Sequence, residues 1–127
     1  MLNMCILMGR LTNAPEIKQL ESGTKVMRFC IAVNRPKAKK EEEVKTDFID
    51  CIAWGKTAEF IEKYFEKGNG ILVKGSIETQ MYQDKNGNNR KSVNVLVREV
   101  DFCIQNKNEK QETQSNTKNE EINDLPF

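Results

Sequence analysis

The sequence predicts an all-β fold, a small barrel with one helix inserted between its strands. Three observations support this class. Apolar residues alternate with a period of two in four separate segments, a fifth segment is apolar in both phases, and one further segment repeats at helical spacing. Turn signals rich in glycine and asparagine separate these segments. The chain has 127 residues, which is the size of one ordinary domain.

The first predicted strand, residues 3–11, is apolar in both of its phases. One phase holds Met4, Ile6 and Met8, and the other holds Cys5, Leu7 and Leu11. A strand with two apolar faces is typically buried on both of them. In a barrel made of one sheet, the outer face has nothing within the chain to pack against. We therefore expect Met4, Ile6 and Met8 to form an interface between subunits.

The second and third predicted strands are residues 25–34 and 47–54. In the second, the inward phase consists of Met27, Phe29, Ile31 and Val33. In the third it consists of Ile49, Cys51 and Ala53, which leaves Phe48, Asp50, Ile52 and Trp54 on the other face. A face that carries a carboxylate is at least partly hydrated, so Phe48 and Trp54 are candidates for stacking with unpaired bases. Packing of both rings against a second layer is the alternative.

A helix is predicted over residues 57–67, because Ala58, Ile61 and Phe65 recur at helical spacing and Gly68 can cap its end. The fourth strand covers residues 71–82. Its core phase is Ile71, Val73 and Ile77, and its polar phase is Lys74, Ser76, Gln80 and Tyr82. Tyr82 is thus a third candidate for base stacking.

Residues 84–89 contain Asn-Gly and predict a hairpin turn before the fifth strand, residues 91–104. Its inward phase is Val93, Val95 and Val97, and then shifts to Val100, Phe102 and Ile104. A bulge near Arg98 and Glu99 accounts for that shift. Three strands, one helix and two strands is the arrangement of the OB-fold, a five-stranded Greek-key barrel.

The charge is unevenly distributed, although its total is only +1. Residues 1–104 carry 17 Lys and Arg against 14 Asp and Glu, whereas residues 105–127 carry 3 against 5. Residues 105–127 are polar enough to predict a disordered tail after an OB-fold domain at 1–104. The candidate contacts to a nucleic-acid backbone are Arg10, Arg28, Arg35, Lys37, Lys39, Lys40, Lys56, Lys74 and Arg90.

Several classes of protein are disfavoured. His is absent and no two of the four cysteines form a Cys-x-x-Cys pair, so we expect no structural zinc and no cofactor, and free cysteines that act as small buried hydrophobes. No glycine-rich phosphate loop ends in Lys-Ser or Lys-Thr, so we expect no enzyme activity. No run is apolar enough to span a bilayer, and the first residues lack the basic flank of a signal peptide, which predicts a cytoplasmic protein.

The whole pattern resembles the bacterial single-stranded DNA-binding proteins. The resemblance rests on the order and spacing of residues 3–11 with Pro15-Glu16, 29–33, 47–56 with Ala58-Glu59, Lys67-Gly68, Val73-Lys74-Gly75, Tyr82 before its hairpin, and the terminal Asp-Leu-Pro-Phe. It implies a nucleoid-associated homotetramer that binds single-stranded DNA without strong sequence preference. It also implies stacking on Phe48, Trp54 and Tyr82.

The resemblance further implies that a C-terminal tip recruits proteins of replication, recombination and repair. That tip is Asp124, Leu125, Pro126 and Phe127. This chain departs from the family pattern in the loop after the second strand, which offers cations where a further aromatic residue is common. Two other functions stay open: an OB-fold protein that binds RNA or acts in replication restart, and a protein-interaction module.

Overall fold

Six strands and one helix form the part of the chain that the computed structural model describes, residues 1–37, 39–40 and 43–103. The elements are β1 (Cys5–Leu11), β2 (Lys18–Gln19), β3 (Lys25–Asn34), β4 (Thr46–Trp54), α1 (Gly55–Tyr64), β5 (Gly70–Gln83) and β6 (Asn89–Phe102). The predicted all-β class and the position of the helix are confirmed. The additional strand β2 is two exposed residues long, too short to show any alternation in the sequence.

The strands close into a barrel because β1, at one end of the sheet, pairs both with its neighbour β5 and with β3 near the other end. The order is β1-β5-β6-β4-β3-β2, and β1 also pairs with β3 at Arg10 and Leu11. Most neighbours are antiparallel, whereas β4 and β6 are parallel and pair only through Cys51 with Val95 and Ile52 with Leu96. This closure gives the OB-fold that the sequence predicts.

The core fills the barrel and is covered at one end by α1. The helical stripe predicted from the sequence is confirmed, since Ala58, Ile61 and Phe65 are all buried. The strands contribute Leu11, Met27, Phe29, Ile31, Cys51, Ala53, Ile71, Val73, Val95 and Val97. Burial of this much apolar surface is the main stabilising contribution to such a fold.

The helix is shorter than predicted and ends at Tyr64 instead of residue 67. Phe65 is already extended, with φ −123° and ψ 147°, and this conformation turns its ring back into the core. Gly68 is therefore not the helix cap. It lies in the following turn with φ +88°, where its N–H donates to the Leu11 carbonyl oxygen at 2.8 Å.

Beyond Ser76 of β5 and ahead of Val95 of β6, these strands leave the barrel as a two-stranded arm, residues 77–94, that ends in the predicted hairpin turn. The predicted bulge is confirmed: Lys74 pairs with Glu99 and Gly75 with Val97, so Arg98 has no opposite residue. A side chain at Gly75 would overlap the carbonyl oxygen of Leu96, which explains the glycine. Ile77 and Val93, expected in the core, are exposed because the arm has no barrel interior.

Ile52 is buried although it lies on the outer face, because Arg28 of β3 and Leu96 of β6 flank it. Two further expectations were wrong in detail. Phe102 is exposed, and its ring stacks on Phe65 with centroids 5.0 Å apart. Of the free cysteines, only Cys51 is fully buried, and Cys5, Cys30 and Cys103 are half-buried. Ile104 and the predicted tail lie outside the described residues.

Candidate nucleic-acid interface

Phe48 and Trp54 lie on the outward side of β4, as the alternation of the strand predicts. The exposed fractions are 67% for Phe48 and 41% for Trp54, so the alternative in which both rings belong to the core is wrong. Neither ring is placed by packing against a second layer. Both present flat apolar surface to solvent, which is what base stacking requires.

Tyr82 is 53% exposed and belongs to the same outward face, as the strand register shows. Ile52 of β4 is aligned with Leu96 of β6, and Leu96 is aligned with Ser76 of β5. Residues that are opposite one another point to the same side of a sheet. Because Tyr82 is an even number of residues beyond Ser76, its ring projects to that side too. We call the surface with Phe48, Trp54, Tyr82 and the polar groups between them the aromatic face.

A polar cleft opens in the aromatic face beside Asp50, which lies on the same side of β4 as Phe48 and Trp54. It has a volume of about 340 Å³ and is lined by Asn13, Arg28, Phe29, Cys30, Asp50, Cys51 and Asn94. The cleft exists because β4 and β6 separate directly beyond the pair Cys51 and Val95. Burial raises the pKa of the Cys51 thiol to about 12, so this floor residue is a neutral thiol at physiological pH.

Two of the predicted backbone contacts lie on the aromatic face itself. Arg28 is opposite Ile52, is exposed, and makes no hydrogen bond or ion pair with any residue that the structure describes. Arg90 is opposite Tyr82 at the end of the arm. Its Nε lies 3.0 Å from Oδ2 of Asp84, so its position is fixed by the hairpin turn.

The loop between β3 and β4 carries a second group of cations. Arg35 donates two hydrogen bonds of 2.9 Å to the Asp47 carboxylate, and these hold the pKa of Asp47 below its usual value. Arg35, Pro36, Lys37, Glu43 and Lys45 line a concavity of about 340 Å³. Lys45 was missed from the sequence. Lys45 joins this group through a pairing across the loop, in which its carbonyl oxygen accepts from the Arg35 N–H at 2.8 Å. No local sequence pattern reveals that pairing.

The remaining predicted cations lie in different parts of the structure. Lys39 and Lys40 are exposed in the same loop, and Lys37 donates to the Lys40 carbonyl oxygen at 3.4 Å. Lys56 is exposed two residues after Trp54. Two others lie away from the aromatic face.

Lys74 is opposite Ile6 and sits between Glu99 and Asp101, with N–O distances of 3.7 and 3.5 Å. Arg10 donates to the Gly68 carbonyl oxygen at 3.2 Å. Both cations are therefore already engaged within the chain, and the structure does not bring them together with the three rings.

A different exposed surface lies along β1. Met4, Ile6 and Met8 are 68%, 56% and 61% exposed, whereas Cys5 and Leu7 of the alternate phase pack against the core. We call the surface formed by Met4, Ile6 and Met8 the β1 face. The prediction that this phase projects outward is confirmed, and within one chain it has no cover.

Other expected features fall outside the described residues or give no signal there. The tip, Asp124 to Phe127, lies beyond the residues that the structure describes. Within residues 1–37, 39–40 and 43–103, no group of three or more His, Cys, Asp and Glu could hold a metal ion. The helix in that part of the chain is not long and apolar enough to cross a membrane.

A closed five-stranded barrel with one helix defines an OB-fold protein, and its exposed aromatic face is the candidate nucleic-acid interface. The model of the single-strand binding protein family matches residues 2–103. The chain therefore belongs to the single-strand binding protein family.

Individual relatives agree with this membership. A single-stranded DNA-binding protein of Clostridium perfringens is 45% identical over 102 residues, which are 80% of this chain and 65% of that protein. A single-stranded DNA-binding protein of Halalkalibacterium halodurans is 38% identical over 102 residues, 80% of this chain and 61% of that protein. The chain thus spans less than two thirds of the length of these relatives. A solved structure, a Plasmodium falciparum SSB complex with ssDNA, is 27% identical with a TM-score of 0.72, covering 82% of this chain and 97% of that one.

Proposed function

We propose that this chain binds single-stranded DNA without strong sequence preference and is not an enzyme. The observation that carries the proposal is the aromatic face, on which three exposed rings from β4 and β5 project to one side of the barrel. Every base has a π-face, so stacking on Phe48, Trp54 and Tyr82 tolerates any sequence. Membership of the single-strand binding protein family supports the same conclusion.

Cations beside the rings would neutralise the phosphates. Arg28 and Lys56 near Trp54, and Arg90 beside Tyr82, are the best placed. The loop between β3 and β4 adds Arg35, Lys37, Lys39, Lys40 and Lys45. Arg10 and Lys74 are weaker candidates because they lie away from the aromatic face: Lys74 is opposite Ile6, and Arg10 bonds to the Gly68 carbonyl oxygen. A bound strand would therefore run along the aromatic face with its bases on the rings and its backbone among these cations.

The chain is proposed to act as a homotetramer. The β1 face supports this because it presents three adjacent apolar side chains with no cover in the single chain. Contiguous exposed apolar surface on a small domain is typical of protein–protein contacts. A second copy of the chain is the simplest partner, since closed symmetric oligomers are the commonest assemblies.

The C-terminal tip is proposed to recruit replication, recombination and repair proteins. Asp124, Leu125, Pro126 and Phe127 combine an acidic group with apolar groups, a chemistry suited to a basic, hydrophobic pocket. Deleting these four residues should abolish partner capture and leave both assembly and DNA affinity at or slightly above the wild-type level. Loss of DNA binding in the deletion would assign the tip to the folded domain instead.

The proposed function is tested by competition between nucleic acids. Fluorescence anisotropy of a labelled oligo(dT) should report binding that single-stranded DNA competes for better than RNA of matched sequence, and much better than a duplex. Affinity should fall with added salt, with a slope of roughly −0.7 per neutralised phosphate. Stronger competition by RNA would favour an RNA-binding OB-fold protein. Absence of binding to either strand would leave the aromatic face to a protein partner and refute the proposal.

A further inference from the structure

Asp50 is an unusual residue for the proposed DNA-binding face. It lies between Phe48 and Trp54 on the outward side of β4, is exposed, and lines the polar cleft. Its carboxylate makes no hydrogen bond or ion pair with any residue in the described part of the chain. On a surface that receives a polyanion, such a carboxylate would repel phosphates, because like charges brought together across an interface are unfavourable. The group that meets Asp50 is therefore not the DNA backbone.

The position of Asp50 brings it to the edge of a stacked base. Residues two apart on one strand face are separated by about 7 Å, so a base that lies on the Phe48 ring extends toward Asp50. The cleft beside Asp50 is open for two reasons. On β3, the residue opposite Asp50 is the small Cys30. On the opposite flank, β4 and β6 separate at Asp50, because their pairing covers Cys51 and Ile52. Asn94 of β6 and Arg28 of β3 line the same cleft.

We infer that this cleft reads the pairing edge of one nucleobase and favours bases that carry an amino group there, namely guanine, cytosine and adenine, over thymine. This inference rests on the proposed function. An ionised carboxylate only accepts hydrogen bonds, so Asp50 accepts from the amino group of such a base. Guanine offers two adjacent donors, its ring N–H and its 2-amino group, and matches both carboxylate oxygens. Thymine places carbonyl oxygens on either side of its single N–H, and these repel the carboxylate.

Asn94 completes this arrangement. Cytosine and adenine carry a ring nitrogen acceptor next to the amino group, and the amide of Asn94 can donate to it. A cleft with an acceptor from β4 and a donor from β6 therefore complements an amino-bearing base on both sides of its edge. The preference is superimposed on stacking, which holds any base, so it alters relative affinities without making the protein strictly specific.

The first test compares (dC) and (dT) oligomers of equal length by anisotropy, in wild type and in Asp50→Asn. The substitution keeps the shape and lets the amide donate to thymine. The ratio of (dC) to (dT) affinity should fall about three- to tenfold, the order expected for the net loss of one hydrogen bond. The matched control is Glu21→Gln, which removes an exposed charge from the turn before β3 and should leave the ratio unchanged. An Asp50→Asn ratio equal to that of Glu21→Gln would overturn the inference, because Asp50 would then act through charge alone.

The second test uses the wild-type protein, so it does not depend on the folding of a variant. Alternating d(GT) and d(IT) oligomers differ only in the 2-amino group, which hypoxanthine lacks. The d(GT) oligomer should bind about threefold or more tightly, and Asp50→Asn should remove the difference. Equal wild-type affinities for the two oligomers would contradict base reading by Asp50. If the wild type bound none of the four oligomers, the proposed function itself would fail, which is a separate and distinguishable result.

Discussion

The aromatic face and the β1 face are both exposed and both apolar, yet their chemistry differs. On the aromatic face, the rings of Phe48 and Trp54 alternate with charged and amide groups, among them Arg28, Asp50 and Asn94. On the β1 face, the side chains of Met4, Ile6 and Met8 follow one another in one phase, with Arg10 next in that phase and Lys74 opposite Ile6. Exposed apolar area alone therefore does not distinguish the two surfaces.

The difference indicates what each surface can bind. Flat rings separated by hydrogen-bonding groups suit bases, which have an apolar face and a polar edge. Flexible Met and branched Ile side chains adapt to another irregular apolar surface, and they gain stability by excluding water from it. The aromatic face is thus proposed to bind nucleic acid, and the β1 face to bind a second copy of the chain.

The largest expected effect concerns the β1 face. Replacing Ile6 by Lys would place an ammonium group in the proposed subunit interface, where burying a charge without a partner is strongly unfavourable. We expect light scattering at micromolar concentration to show smaller species than the wild type. Leu20→Lys, a matched change of an exposed apolar residue at the turn before β3, should keep the wild-type mass. A monomeric wild type would show that the β1 face does not mediate assembly.

The second effect concerns the aromatic face. Substituting Phe48, Trp54 or Tyr82 by Ala should each cost about 1–3 kcal/mol of binding to oligo(dT), which is a roughly 5- to 150-fold loss of affinity. Tyr64→Ala is the control, since this ring is also exposed but belongs to α1. Anisotropy titrations measure the four affinities. If all three variants bound like Tyr64→Ala while remaining folded, the bases would have to lie elsewhere.

A smaller effect separates cations on the aromatic face from cations elsewhere. Arg28→Ala should reduce the salt dependence of binding by about 0.7 in the slope of log K against log salt, because one phosphate contact is lost. Lys63→Ala removes a cation that lies over the Tyr64 ring on α1 and should leave the slope unchanged. Titrations at several salt concentrations give both slopes. Equal slopes for the two variants would remove Arg28 from the proposed interface.

The smallest effect is at the end of the arm, where Asp84 organises the hairpin turn. Its Oδ1 accepts from the backbone N–H groups of Asn86 and Asn88, and Arg90 bonds to Oδ2. These hydrogen bonds, the one from Asn88 first, lower the pKa of Asp84 from 3.8. The ionised carboxylate therefore stabilises the turn fully when the pH is above the pKa that Asp84 has in the unfolded chain. This contribution disappears as the pH falls through the lower pKa of Asp84 in the folded protein.

Amide hydrogen exchange at Asn86 and Asn88 should consequently accelerate, relative to its intrinsic rate, as the pH is lowered through that range. Asp84→Asn should show fast exchange already at neutral pH, because the amide oxygen is a weaker acceptor than the carboxylate. The rest of the barrel should exchange as in the wild type. Unchanged protection of the turn at low pH would show that Asp84 does not hold it.

The sequence predicted the barrel well because alternation and the helical stripe both report one buried interior. Ala58, Ile61 and Phe65 illustrate this, since their spacing has no other simple explanation. The arm was misjudged for the same reason. Ile77 and Val93 continue the alternation of the strands, but alternation does not show where a strand pair leaves the barrel.

The candidate site was predicted as far as single strands allow. Phe48 and Trp54 could be assigned to one face from their spacing, whereas the relation of Tyr82 to them depends on the register between β4, β6 and β5. Lys74 forms ion pairs with Glu99 and Asp101, which are distant from it in the sequence. Lys45 joins the cations of the loop between β3 and β4 by pairing across that loop. No local pattern reveals such pairings.

The fluorescence of Trp54 tests most directly whether single-stranded DNA binds to the aromatic face. Trp54 is the only tryptophan of the chain, so its emission reports on one position of the aromatic face. We expect added oligo(dT) to quench this emission to saturation, over the same concentrations at which anisotropy reports binding. Binding by anisotropy with unchanged Trp54 emission would place the DNA on another surface and contradict the assignment of the aromatic face.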